Sequence, residues 1–135
     1  MAPTVFKDGT PKKDPNLGMH TYEGSEVANI GIGQNGFDVI ADAGDFIEED
    51  TAITTTGSND CIGNWTRGWV AIKVVGGAAC QVEGTSNVGA DLTDGTAVDG
   101  SSGIYIQDTD TIYGNFKKVL LQTKGSNSIL VCYRG

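Results

Sequence analysis

The chain has 135 residues, a formal net charge of −8, 39% hydrophobic residues and 20 glycines. That length suits one domain with a single core, and abundant glycine beside five leucines argues against a helical bundle. The acidic balance disfavours a nucleic-acid partner, and no apolar run is long enough for a membrane-spanning helix.

Residues 1–19 hold all three prolines, Pro3, Pro11 and Pro15. Proline fixes φ and lacks an N–H, so this stretch is expected to be an extended arm rather than a core strand. Val5 and Phe6 are its apolar anchors, and it has no apolar stretch of signal-peptide type. The expected organisation is an arm over 1–19 and one β domain over 20–135. Charge is unevenly spread. Residues 21–60 carry nine acids and no Lys or Arg, whereas residues 1–20 are net +1 and residues 61–135 are neutral. The acidic stretch reads first as a solvated face and second as a surface for a basic partner.

Gly31-Ile32-Gly33-Gln34-Asn35-Gly36 matches the spacing of a dinucleotide-binding loop. That motif needs a strand before it and a helix after it. Here Phe37 to Asp42 alternates with a period near two, so Asn35-Gly36 is read as a hairpin turn. Thr51 to Asp60 is a β-branched run ending in a turn. Trp69 to Val75 is the clearest central strand, with Val70, Ile72 and Val74 on its wholly apolar face. Ala78 to Glu83 is a shorter strand. A long Gly/Ser/Thr/Asp loop follows, Gly84 to Gly103, of a length associated with function or mobility. Ile104 to Gln107 returns to alternation. Thr111 to Thr123, a turn over 124–127, and Ser128 to Arg134 read as a closing hairpin. Gly114 marks a bulge or a close approach. The expected fold is all-β, a β-sandwich or compressed, jelly-roll-like β-barrel carrying the N-terminal arm.

Chemistry-bearing clusters are few. Cys61, Cys80 and Cys132 are read as free thiols, and the single His20 lies far from them in sequence. One histidine and no thiolate pair leave no zinc set, and "DLTDGT" lacks the spacing of a calcium loop. No cofactor is expected. The aspartates at 91, 94, 99, 108 and 110 are read as turn residues, and a carboxylate hydrolase ranks last among the readings. Trp65 and Trp69 flank Arg67. They form either core packing, preferred because Trp69 lies on the best strand, or a stacking platform for sugars.

"GWVAIKVVGGAACQVEG" and "DTIYGNFKKVLLQTKGSNSILVCYRG" resemble segments of small virion proteins of tailed bacteriophages. The shared pattern is an aromatic before an "xAIxV" strand, a variable loop, a "TIYGxF" strand and a last strand ending in a tyrosine and a basic residue. Here these are Trp69, Ala71 to Val74, Thr111 to Phe116, and Tyr133-Arg134; the likeness covers roughly residues 65–135. The resemblance implies a non-enzymatic capsid decoration (cement) protein, made in the host bacterial cytoplasm and mounted on the virion surface. It also implies a homotrimer whose partner is the major capsid protein. Phe6, Lys12 and Lys13 are then the expected reaching residues of the arm. The alternative is a carbohydrate- or receptor-binding β module that uses Trp65 and Trp69.

Overall fold

The computed structural model describes residues 32–95 and 98–135. The arm, with Phe6, Lys12 and Lys13, lies outside the described residues. The described body is all-β and consists of eight strands: β1 Phe37–Ile40, β2 Phe46–Glu48, β3 Cys61–Gly63, β4 Trp69–Val75, β5 Cys80–Ser86, β6 Ile104–Ile106, β7 Thr111–Lys124 and β8 Ile129–Arg134.

One long strand organises the sheet. The first half of β7 pairs with β4, and the order continues outward through β8 to β1. Its second half runs between β2 and β5, which carry β3 and β6 on their far sides. Two curved layers thus share β7, giving a nearly closed, barrel-like sheet. Ile40, Ile47, Trp69, Ile72, Val74, Val82, Val119, Leu121 and Leu130 fill the space between them.

Two bulges set what faces that core. On β4 the pairing slips between Trp69 and Ala71. On β7 the partners of Thr85 and Ser86 are Lys118 and Phe116, which leaves Lys117 as the extra residue. An extra residue inverts the strand's alternation beyond it. Trp69 therefore joins the face of Ile72 and Val74, against the expected grouping with Ala71 and Lys73. Phe116 likewise joins Val119 and Leu121. The two displaced aromatics are cross-strand partners, so both bulges serve one aromatic pair at the core.

Three expectations are corrected. Asn35-Gly36 is not a hairpin turn. Ile32 and Gly33 close a helical turn, Gly36 ends it at φ +81 with its N–H on the Gly33 carbonyl, and β1 pairs with β8 instead. A glycine just past a helical turn accepts a positive φ without strain, which is why the same dipeptide suits either role. The motif also differs from a dinucleotide loop, because a strand, β1, follows it where a helix is required. Next, β7 and β8 form no hairpin, because β4 lies between them and pairs with both. The turn over 125–128 carries the chain past β4 rather than back along β7. Finally, the loop after β5 starts later than expected: Gly84 to Ser86 extend β5, and Leu92 bridges back to Gly84.

Gly114 is a site of close approach, to a ring rather than to backbone. A Cβ there would stand 2.8 Å from the Phe116 ring, and one on Gly84 would stand 3.0 Å from it. The ring lies across both glycines.

Candidate functional site

The two layers differ in what covers their outer surfaces. Over β5 and the second half of β7, residues 98–103 fold back onto the sheet. Their anchor is Glu83, wholly buried on β5. Its Oε1 accepts the backbone N–H groups of Asp99 (2.8 Å) and Gly100 (3.0 Å), and Gln122 Oε1 accepts that of Gly103 (2.8 Å). Glu83 Oε2 has no hydrogen-bond partner. The loop and β7 border a cleft of about 390 Å³ lined by Phe46, Asn59, Asp99, Lys118 and Leu120. Lys118 lies over the Phe46 ring at 4.6 Å.

Over β1, β8, β4 and the first half of β7 nothing among the described residues folds back. Cross-strand partners share a face, so register identifies what points outward. One row reads Phe37, Tyr133, Ala71, Tyr113; the next reads Val39, Val131, Lys73, Thr111; Ile129 and Val75 follow. Only Lys73 and Thr111 interrupt this face with short-range polarity. Phe37 is 55% exposed, Tyr113 68% and Val39 38%, and Phe37 meets Tyr133 edge to face with centroids 5.8 Å apart. An antiparallel sheet with one solvated face normally alternates apolar-in, polar-out. This one is apolar on both sides, a pattern that marks interaction surfaces.

Among the described residues no strand pairs with the other side of β1. Arg134 N–H donates to the Gly36 carbonyl, so residues 36, 38 and 40 bond toward β8. By the alternation of an antiparallel ladder, the N–H and C=O groups of Phe37 and Val39 point away from it.

Beneath this face a polar cluster ties the end of β8 to the core. Asp38 accepts Trp69 Nε1–H at 2.8 Å and both the Nε and NH2 groups of Arg134, at 3.0 and 2.9 Å. Arg134 also stacks on Trp65 at 4.7 Å, with Arg67 at 5.0 Å from the same ring. Trp65 Nε1–H and Asn35 Nδ2–H both donate to the Gly135 oxygen, at 3.0 and 2.8 Å. Trp69 is wholly buried, so its ring has no free face for a sugar; Trp65 is half-buried under two guanidinium groups. The sequence brings these indoles near each other but does not form an open platform from them.

The acids do local work. Asp91 accepts the Ser86 N–H, Asp99 the N–H and hydroxyl of Ser101, and Asp108 the Gly77 N–H. Glu49 accepts from Asn87. Asp60 gathers the Thr54 and Thr56 hydroxyls and the N–H groups of Thr56 and Gly57. That explains why the β-branched run before it forms no strand: its donors are spent on a side chain. Among the described residues no His, Cys, Asp or Glu cluster could hold a metal ion. The outer face and the Glu83 anchor went unread in the sequence. The face could have been found from β1, where Phe37 and Val39 flank Asp38.

No family model, curated protein or solved structure matches this chain.

Proposed function

We propose that the chain is a non-enzymatic capsid decoration protein that docks on the outer surface of an assembled phage head and stabilises contacts between neighbouring capsomers. The observation that carries this reading is the apolar face of β1, β8, β4 and the first half of β7, which no described residue folds over. A broad apolar sheet face suits a protein surface better than a small molecule. The resemblance of residues 65–135 to small virion proteins supports the choice of partner. Many copies on one shell supply avidity, so each contact is modest.

The test uses purified bare heads and the full chain. Tyr113→Glu adds a charge at the most exposed aromatic of the face, and the expected result is at least a tenfold loss of head occupancy with an unchanged thermal midpoint. Unchanged occupancy overturns the reading. Deleting residues 1–19 tests Phe6, Lys12 and Lys13 separately: occupancy falls while the β domain stays folded.

The second reading, a carbohydrate-binding module on the virion, is favoured by the cleft beside Phe46. Asn59, Asp99 and Lys118 supply hydrogen-bonding groups beside an aromatic ring. Binding to immobilised glycans that is abolished by Asn59→Ala, with wild-type head occupancy retained, selects it.

A further inference from the structure

We infer that the open edge of β1 pairs with β1 of a second copy, antiparallel and about a twofold axis at Val39. The backbone supplies the first argument. Phe37 and Val39 direct their N–H and C=O groups away from β8, and no described strand receives them. Such an edge is a template for another strand. Natural edges are usually blunted by shortness, a lysine, a proline, a bulge or an inward-pointing charge. This short edge has no lysine, proline or bulge, and its inward-pointing charge, Asp38, is spent on Arg134 and Trp69 of its own chain.

Self-complementarity supplies the second. With Val39 opposite its own copy, Phe37 falls opposite Ala41 and Asp38 opposite Ile40. Phe37 and Val39 direct their backbone groups outward, and extending the strand by one residue adds Ala41 to that alternation, so these three form the hydrogen-bonded pairs. Asp38 meets an isoleucine and Asp42 meets Gly36, so no acid faces an acid across the axis. For a chain of net charge −8 that is a demanding condition, because like charges directly opposite destabilise a ladder. Asp38 is already neutralised by Arg134 of its own chain.

The outer face supplies the third. Phe37 and Val39 lie on the apolar side. Pairing two β1 strands joins two four-stranded layers into one eight-stranded sheet. The apolar rows then run on across the axis, and Phe37 gains cover from Ala41 of its neighbour. The contact is isologous and closes on itself, so it makes a dimer and not a fibre. This inference stands independently of the capsid reading, and it differs from the threefold assembly implied by the resemblance. A short edge makes a small interface, so the dimer is expected to be concentration-dependent.

The experiment is sedimentation velocity on the full chain over a wide concentration range, with two variants. Wild type is expected to move from one to two chains per particle. Val39→Lys places two ammonium groups opposite each other on an exposed position and is expected to raise the dimer dissociation constant about tenfold or more, with the fold intact by circular dichroism. Val39→Cys is expected to form an intermolecular disulfide on mild oxidation, because facing residues in an antiparallel pair lie within disulfide reach. The native thiols are all buried and do not compete. As control, Val88→Cys, exposed on a distant loop, should not cross-link. A monomer at every concentration, a trimer indifferent to Val39→Lys, or equal cross-linking at both positions overturns the inference.

Discussion

Asp38 makes three jobs converge on one carboxylate: it receives a buried indole, neutralises a guanidinium and lies between two exposed apolar residues. Trp69→Phe removes the indole donor and leaves a void beside a partly buried acceptor. The expected loss is about 2–4 kcal/mol of unfolding free energy, measured by urea denaturation. The cysteines behave as small hydrophobes. Burial pushes the Cys132 thiol far up, with the Asp38 charge adding to it, and burial likewise raises Cys80, with Asp108 adding and Lys124 opposing. A thiol reagent is therefore expected to count three groups in the denatured, unreduced protein and to react with the native protein only as fast as it unfolds. Rapid labelling of the native fold would contradict this. Asp60 titrates below its ordinary value of 3.8, chiefly because the Gly57 N–H and the Thr56 hydroxyl hold its anion. A lowered folded pKa means that folding favours the charged form. Its contribution is complete above the unfolded value and fades as pH falls through the folded one. Asp60→Asn should lower the thermal midpoint at neutral pH, and the gap from wild type should close below about pH 4.

Among elements, β5 depends on a loop that its sequence conceals. Val82 and Glu83 are adjacent and both wholly buried, which requires cover on each side of the strand. The inner cover is the core; the outer is residues 98–103. Glu83→Ala removes the acceptor for two backbone N–H groups and is expected to cost about 3 kcal/mol. Hydrogen exchange at Asp99 and Gly100 should rise sharply, while Glu83→Gln, which keeps the Oε1 acceptor, should retain most of the protection. Equal exchange in both variants would show that the loop holds itself. Gly114→Ala forces the Phe116 ring off two glycines and is expected to cost about 1–3 kcal/mol by overpacking. These two strands show where sequence reading reaches its limit. β4 was legible because five of the seven residues between Gly68 and Gly76 are β-branched or aromatic. Its buried face was legible at Ile72 and Val74 but not at Trp69, because a bulge leaves no mark in composition and reverses parity after one residue. Gly114 signalled the close approach and lies at a register slip, since Gly114 and Asn115 together stand opposite Val70 alone, whereas the bulge at Lys117 falls on an ordinary polar residue. The long Gly/Ser/Thr/Asp stretch read as a free loop because its anchor, Glu83, lies outside it. The candidate site fared less well than the fold. Trp65 and Trp69 were visible as residues, but their burial depends on Arg134 and Asp38, which are distant in sequence.

Across the whole molecule, strands adjacent in sequence mostly do not pair, since β1 takes β8, β2 takes β7, and β4 separates β7 from β8. Turn chemistry could only suggest neighbours in sequence, so both expected hairpins failed for the same reason: pairing here is decided by burial of long-range partners. The last residues of β8 carry much of that closure. Arg134 clamps Asp38 on β1, the Gly135 oxygen receives Asn35 and Trp65, and the Gly135 N–H donates to the Gly68 carbonyl at 2.9 Å. Two segments, residues 35–38 and 65–68, are thus tied to two residues. If these bonds were only a surface fringe, removing them would leave the midpoint nearly unchanged, as for most exposed ends. Because Asp38 and Trp65 are partly desolvated and the Arg134 fork is bidentate, the expected loss on deleting Arg134 and Gly135 is instead about 2–4 kcal/mol. Arg134→Lys should lose an intermediate amount, since an ammonium keeps the charge but not the two-pronged geometry. Chemical denaturation monitored by Trp fluorescence reads both indoles of the cluster directly. A deletion variant with the wild-type midpoint would mean that the ladder between β1 and β8 closes the sheet without its terminal clamp.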